Sequence, residues 1–250
     1  MGCIRPGPDM ALLPPGFVPK MLICDIDGTL TDENQLLHAP LIDAFQRLEA
    51  AGIPVALATG NVRPTVWTLA RHLRLSGPLI CENGGLVWDW RGNGEMIHLA
   101  DGARAKAAVD WLATQIEGLD PVGITSNAWR ETEWCLWSRE DDVAMREHLD
   151  RSEWADLEIV RTGFAIHVAE PNLHKGHGVA KALELRGIDA GDVVCVGDAP
   201  NDLPMFDLCG WAVAVGGARA EVAAAADAQG RAPHGETVVE LIEEILQNLN

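Results

Sequence analysis

Residues 21–29 read Met-Leu-Ile-Cys-Asp-Ile-Asp-Gly-Thr, an apolar run that ends in two carboxylates and a glycine. The run is typical of a buried strand, and the glycine allows the chain to turn sharply where the strand ends. Side chains two residues apart on a strand point to the same side, so Asp25 and Asp27 can face one reacting group. This arrangement indicates phosphoryl-transfer chemistry.

Composition limits the classes of partner. The chain has 250 residues, is 48% hydrophobic and carries a formal net charge of −18. It can bury a substantial core, and its acidity argues against nucleic-acid binding, which needs clustered basic residues. An anionic substrate would need a locally positive pocket, which a divalent cation can supply in a chain with only four lysines, Lys20, Lys106, Lys175 and Lys181.

The six cysteines form no Cys-x-x-Cys pair, and several lie in apolar runs, which indicates buried, reduced thiols. Residues 1–19 are rich in proline and glycine and lack the continuous apolar segment of a secretory signal, so we expect a loose tail. No apolar stretch approaches the ~20 residues needed to span a bilayer. We therefore expect a cytoplasmic protein with no membrane association.

The segment after the first strand predicts alternating helices and strands. A helical pattern at 39–51 precedes a buried strand at 53–58, which runs into Thr59-Gly60; a helix at about 64–75 and a strand at 78–81 follow. This alternation indicates an α/β protein with a parallel, Rossmann-like sheet, whose ligands bind beyond the carboxyl ends of the strands.

The alternation stops near residue 86 and resumes near residue 172. A predicted hairpin, two helices and three short strands between these points indicate a smaller α+β cap domain. We therefore assign residues 20–85 and 172–250 to the core and residues 86–171 to the inserted cap.

Further polar residues are predicted at strand and helix ends of the core. Lys175 opens a helix, and the strand 193–196 runs into Gly197-Asp198, followed by Asp202. Each of these features alone also fits a turn, a helix cap or a solvated lysine. Their combined order, after Asp25, Asp27 and Thr59, favours a single site.

These motifs together resemble the haloacid dehalogenase-like hydrolases over residues from about 21 to 247. The segments Asp-Ile-Asp-Gly-Thr-Leu-Thr-Asp (25–32), Thr-Gly-Asn-Val-Arg-Pro (59–64), Gly-Pro-Leu-Ile-Cys-Glu-Asn-Gly-Gly (77–85), Ala-Trp-Arg-Glu (128–131) and Gly-Asp-Ala-Pro-Asn-Asp-Leu-Pro-Met-Phe (197–206) are most similar to the archaeal-type phosphoglycolate phosphatases, in the α/β-capped branch.

The resemblance implies catalytic roles for the two aspartates of the first motif. Asp25 would attack phosphorus and form an aspartyl-phosphate, and Asp27 would act as acid and then as base. Thr59, Gly60 and Lys175 would hold the phosphoryl oxygens.

The resemblance also implies a Mg²⁺ cofactor. Asp25, the backbone carbonyl of Asp27 and Asp198 would bind the ion, and Asp202 would support its water shell or orient Lys175.

The substrate is expected to be a small phosphorylated metabolite, with 2-phosphoglycolate favoured and a place in carbohydrate metabolism. Arg130, in the cap segment, could pair with a substrate carboxylate or only brace the cap. His167 lies in a predicted cap strand, and no thiol or carboxylate pattern joins it into a metal site. A sugar-phosphate phosphatase, a phosphomutase and a non-catalytic binding protein remain alternatives, as do a monomer and a homodimer.

Overall fold

A computed structural model describes residues 11–162 and 165–249. Its largest element is an eight-stranded sheet. The strands are β1 Met21–Cys24, β2 Val55–Ala58, β3 Leu79–Cys81, β4 Leu86–Trp88, β5 Met96–His98, β9 Val193–Gly197, β10 Trp211–Gly216 and β11 Ala228–Pro233. Their order in the sheet is β11-β10-β9-β1-β2-β3-β4-β5. The pairings from β11 to β3 are parallel, while β3, β4 and β5 pair antiparallel.

Helices cover both faces of this sheet because successive residues of the central strands β1, β2, β3 and β9 are buried and alternate in direction. In β1, Leu22 and Cys24 pack into one hydrophobic cluster and Met21 and Ile23 into the other. The first cluster is completed by α1 Leu41–Ala50, α2 Arg63–Leu73 and α8 His234–Asn248, and the second by α5 Lys175–Arg186, α6 Leu203–Phe206 and α7 Ala220–Ala225.

A separate three-stranded antiparallel sheet forms the smaller layer, together with two helices. The elements are α3 Gly102–Gln115, β6 Glu133–Trp137, α4 Asp142–Leu149, β7 Glu158–Arg161 and β8 Ala165–Ala169, and the strands lie in the order β6-β8-β7. Leu136, Ile166 and Val168 on this sheet pack in one apolar cluster with residues of the two helices. The α/β sheet with an inserted smaller α+β layer is the predicted fold class.

The predicted hairpin after residue 86 is present as β4 and β5, but it belongs to the large sheet. Leu86 pairs with Cys81 of β3, and both Leu86 and Val87 are fully buried in the core clusters. We therefore propose that the insert begins after His98 rather than at residue 86. The strand β11 was not predicted, because its sequence Ala-Gln-Gly-Arg-Ala-Pro has no apolar run.

The predicted loose tail is partly ordered. Residues 1–10 lie outside the described residues, but Leu12 and Leu13 are buried, and their backbone N–H groups each donate to Glu244 at 3.0 Å. The indole N–H of Trp211 donates to the Leu12 carbonyl at 2.8 Å. The expectation of a loose segment is therefore wrong for Leu12 and Leu13, because α8 and β10 provide partners for them.

Among the helices of the described residues, none combines the length and the apolar composition needed to cross a membrane.

Candidate active site

The polar residues predicted at strand ends meet at one edge of the large sheet. β1 lies between β2 and β9, with Ile23 in register with Ala56 on one side and Cys195 on the other. Asp25 and Asp198 follow β1 and β9, and Thr59 follows β2. Because parallel strands end at the same edge, these three residues come together from distant parts of the chain.

Lys175, the first residue of α5, is fully buried below this edge. Its Nζ lies 2.5 Å from Asp25 Oδ1 and 2.6 Å from Asp202 Oδ1. Burial opposes the charge of the ammonium group, but Asp202 and Asp25 more than compensate and raise the pKa of Lys175 above its usual value. The lysine therefore provides a permanent positive charge at the base of the site.

Asp202 closes the loop that carries Asp198. Its Oδ2 accepts hydrogen bonds from the backbone N–H groups of Asp198 at 2.9 Å and Ala199 at 3.0 Å. A Cβ atom on Gly197 would lie 2.4 Å from the same oxygen, so only glycine fits there. Asp202 thus contacts both Lys175 and the backbone of the loop.

Three carboxylates converge beside this single ammonium group. Oxygen atoms of Asp25, Asp198 and Asp202 lie within 4.8 Å of one another. Asp198 also accepts a hydrogen bond from the Thr29 hydroxyl at 3.0 Å, and its carboxylate lies 2.6 Å from where a Cβ of Gly28 would be. Gly28 has a φ of +85°, so this position requires glycine for both backbone conformation and space.

The three carboxylates outnumber the one ammonium group beside them. Burial raises the pKa of Asp25 well above its usual value, and Asp202 and Asp198 add to this effect while Lys175 opposes it. Burial and Asp202 likewise raise the pKa of Asp198, against the hydrogen bond from Thr29. Oxygen ligands that repel one another in this way fit a hard divalent cation such as Mg²⁺.

Asp27 is exposed at the mouth of the site and is held by Asn61. Asn61 Nδ2 lies 2.5 Å from Asp27 Oδ2 and 3.0 Å from the Thr59 hydroxyl oxygen, which also accepts the Asn61 backbone N–H at 3.1 Å. Asn61 was not among the predicted site residues, although it belongs to the Thr-Gly-Asn segment quoted above. Its amide fixes the side chain of Asp27 relative to Thr59.

A cavity of about 220 Å³ opens over these residues, between the two sheets. The core contributes Asp25, Asp27, Thr59, Gly60, Asp198 and Asn201 to its lining, and the cap contributes Thr162 and His167. Asn83, from the turn after β3, also lines it. The structure therefore brings most of the predicted core residues to one cavity, places Lys175 and Asp202 beneath its lining, and adds a polar cap wall that the sequence did not predict.

Arg130 is placed differently from the substrate contact considered above. Its side chain is 2% exposed; the guanidinium pairs with Glu133 and lies 3.2 Å from the Gly60 carbonyl oxygen. Arg130 is not among the described residues that line the cavity. This geometry favours the bracing role, between the cap strand β6 and the loop after β2.

His167 has partners that pattern reading missed. Its Nδ1 lies 3.0 Å from Glu133 Oε2 and 3.2 Å from Cys135 Sγ. The signal was available in the alternation of β6, because Glu133 and Cys135 are two residues apart and must share a face. Their pairing with β8, which places Cys135 opposite His167, was not visible without the structure.

The core and the cap are joined by a second polar contact, at Glu82. The Glu82 carboxylate accepts backbone N–H groups of Glu131 and Thr132 at 3.0 and 2.8 Å and the Thr132 hydroxyl at 2.9 Å. Glu131 in turn pairs with Arg63 of α2 at 2.8 Å. The Trp-Arg-Glu segment of the cap is therefore fixed directly over the loop that carries Thr59.

Comparison with known proteins agrees with this geometry. The chain is 32% identical over 234 residues to a phosphoglycolate phosphatase of Methanosarcina acetivorans, covering 92% of this chain and 97% of that one. It is 33% identical over 227 residues to a phosphoglycolate phosphatase of Archaeoglobus fulgidus, with 91% and 97% covered.

Solved structures share the fold. A protein from Thermoplasma acidophilum of known crystal structure has a TM-score of 0.82 at 24% identity, covering 92% of this chain and 99% of that one. A sequence model of the haloacid dehalogenase-like hydrolases matches residues 22–124 and 136–242. The chain belongs to the haloacid dehalogenase-like hydrolases, and within that family it is similar to phosphatases.

Proposed function

We propose that this hydrolase is a magnesium-dependent phosphomonoesterase that acts through an aspartyl-phosphate on Asp25, with 2-phosphoglycolate as its substrate. The observation that carries the proposal is the buried Lys175 ammonium group between Asp25 and Asp202, beside Asp198, beneath the cavity between core and cap. A nucleophilic carboxylate and a fixed positive charge at one point are what phosphoryl transfer requires.

The phosphoryl group is held by the loop after β2. The Thr59 hydroxyl, the backbone around Gly60 and the Lys175 ammonium group surround the oxygens on which negative charge collects during transfer. A side chain at Gly60 would meet the Asn83 amide at 3.2 Å and narrow the space above Thr59.

In the first step an Asp25 carboxylate oxygen forms a bond to phosphorus while the bond from phosphorus to the ester oxygen breaks. The leaving oxygen takes the proton of the Asp27 carboxyl group. Asp27 suits this role because it is exposed at the cavity mouth and is oriented by Asn61.

In the second step a water molecule gives its proton to the Asp27 carboxylate and attacks the same phosphorus. The bond from phosphorus to Asp25 breaks, inorganic phosphate leaves, and Asp25 is again a carboxylate. Asp27 thus returns to its protonated state at the end of the cycle.

Asp25, Asp198 and the backbone carbonyl of Asp27 would hold Mg²⁺, with Asp202 supporting the site from behind. The excess of buried carboxylates over ammonium groups supports this assignment. When bound, the ion supplies positive charge that keeps Asp25 ionised and reduces repulsion between it and the phosphate dianion.

Two observations support 2-phosphoglycolate as the substrate. The cavity, at about 220 Å³, is smaller than the ~300–1,000 Å³ typical of sites for larger ligands, so it suits a small metabolite. The two archaeal relatives described above are phosphoglycolate phosphatases that align over nearly their whole length.

The mechanism is tested by Asp25→Asn, with Asp43→Asn on the exposed side of α1 as the matched control. Loss of the nucleophile should lower kcat by at least about 10³-fold, whereas the control should keep full activity. Acid quenching of an Asp27→Asn variant with substrate, followed by peptide mass analysis, should locate a phosphoryl group on Asp25. Normal turnover by Asp25→Asn would contradict the proposal.

The substrate is tested by phosphate release from 2-phosphoglycolate, hexose phosphates, nucleoside monophosphates and 4-nitrophenyl phosphate, with Mg²⁺ and with a chelator. A magnesium-dependent preference for 2-phosphoglycolate is expected. A preference for sugar phosphates would be consistent with the proposed mechanism but would contradict the proposed substrate.

A further inference from the structure

The three-stranded cap sheet has two faces of different chemistry. Leu136, Ile166 and Val168 pack in the apolar cluster of the cap. Cys135 pairs with His167 across β6 and β8, on the other face, because side chains alternate along each strand. The face that carries His167 borders the cavity over Asp25.

A buried ionic network holds His167 on this face. Its Nδ1 lies 3.0 Å from Glu133 Oε2, while Glu133 Oε1 pairs with the guanidinium of Arg130. Burial opposes ionisation of Glu133, but His167 and Arg130 outweigh it and lower the pKa of Glu133 to about 2. Glu133 is therefore a carboxylate that anchors one nitrogen of the His167 ring.

The second ring nitrogen of His167, Nε2, lies at the wall of the cavity. His167 Nε2 lies 3.3 Å from the hydroxyl oxygen of Thr162, and both residues line the cavity. The Asn83 amide, 3.4 Å from His167 Nδ1, lies against Gly60 and so connects this wall to the loop after β2.

The charge of the cavity lining singles out His167. The described residues that line it are carboxylates, amides, hydroxyls, Gly60 and Ala199, apart from this one imidazole. Lys175 lies beneath the lining, engaged with Asp25 and Asp202. A substrate with a second anionic group therefore meets one imidazole at the cap wall, that of His167.

We propose that His167 is the specificity-determining residue for the substrate, whose carboxylate accepts a hydrogen bond from His167 Nε2. The Thr162 hydroxyl, which donates to the Ala165 carbonyl at 3.1 Å, turns to the substrate carboxylate to give a second one. The inference rests on the proposed function and deepens it. With the Glu133 carboxylate on the Nδ1 side and the substrate carboxylate on the Nε2 side, each ring nitrogen donates one hydrogen bond. Arg130 then acts indirectly, by holding Glu133.

The test compares two phosphate esters that differ only at the far end. In 2-hydroxyethyl phosphate a hydroxymethyl group replaces the carboxylate of 2-phosphoglycolate. Hydrogen bonds to charged groups contribute about 1.5–3 kcal/mol, so His167→Gln should lower kcat/KM for 2-phosphoglycolate by about 10- to 100-fold, mainly through KM. The value for 2-hydroxyethyl phosphate should change by less than about 3-fold, since only the charged contact is lost.

The matched control is His148→Gln on α4, which is not among the described residues that line the cavity and should change kcat/KM for neither substrate. Thermal unfolding shows whether each variant is folded. Thr162→Val provides a second, milder test at a partly exposed position and should lower only the value for 2-phosphoglycolate.

The outcomes separate the inference from the proposed function. If the wild-type enzyme does not prefer 2-phosphoglycolate to 2-hydroxyethyl phosphate, the proposed substrate is wrong. A wild-type preference that persists in both folded variants would overturn the role of His167 alone. Equal losses on the two substrates would also overturn it, because His167 would then serve the phosphate or the packing of the cap.

Discussion

The acidic cluster of the core and the ionic network of the cap are both buried, yet their carboxylates behave in opposite ways. In the core, burial and neighbouring carboxylates raise the pKa of Asp25, against Lys175. In the cap, Arg130 and His167 flank a single carboxylate and lower the pKa of Glu133 to about 2. Burial is common to both, so the balance of nearby charges decides the sign. The core cluster is suited to take up a cation, whereas the cap network is already balanced.

The largest effect on activity should come from removing the divalent cation, or one of its ligands, from the core site. A chelator should abolish activity, and added Mg²⁺ should restore it. Asp198→Asn, which removes one acidic ligand, should lower kcat/KM by at least about 100-fold, because a bound metal contributes several kcal/mol to phosphoryl transfer.

Thermal unfolding provides an independent measure of this site. Mg²⁺ at about 100 times its Kd should stabilise the wild type by about 2.7 kcal/mol and Asp198→Asn by much less. Asp207→Asn, at an exposed position after α6, serves as the control. Equal stabilisation of all three proteins would mean that the cation binds elsewhere.

The next effect concerns the balanced network of the cap. Glu133→Gln leaves Arg130 buried without its counter-charge and should lower the free energy of unfolding by about 3–5 kcal/mol, measured in urea. Glu243→Gln breaks an exposed pair with Arg47 and should cost less than about 1 kcal/mol. Equal costs for the two substitutions would show that the cap network is not buried in solution.

The pH dependence of the free energy of unfolding of the wild type and of Glu133→Gln sharpens the comparison. The pKa of Glu133 is lowered in the folded state, from 4.5 to about 2, so its contribution is complete above about pH 4.5. That contribution is lost as the pH falls from about 4.5 to about 2. The difference in free energy of unfolding between wild type and Glu133→Gln should shrink over this window. A difference that stays constant from pH 6 to about pH 2 would contradict the assignment.

The smallest effect should come from the junction between the two regions. Glu82→Ala removes the acceptor of two cap N–H groups and one hydroxyl and should cost about 1–3 kcal/mol. It should also raise KM, because the cap is held less firmly over the core. Glu147→Ala, at an exposed position on α4, is the control and should change neither quantity. Unchanged stability in Glu82→Ala would show that other contacts close the cap.

Local patterns were enough to predict most elements of the large sheet and the helices on it. The helix predicted at 39–51 is α1, because Leu41, Phe45 and Leu48 follow helical spacing and are all buried. The strand β11 and the order of Leu12 and Leu13 were missed for the opposite reason. Their segments have no periodic apolar pattern, and their order depends on partners such as Glu244 and Trp211.

The sequence by itself determined the fold class and the core of the candidate site. Buried strands that end in polar residues dictate both, since the ends of adjacent parallel strands must meet. Only the tertiary structure decided what the cap contributes. Strand pairing brings His167 beside Glu133 and turns Arg130 into a brace, and such pairing depends on register between distant segments, which no local pattern encodes.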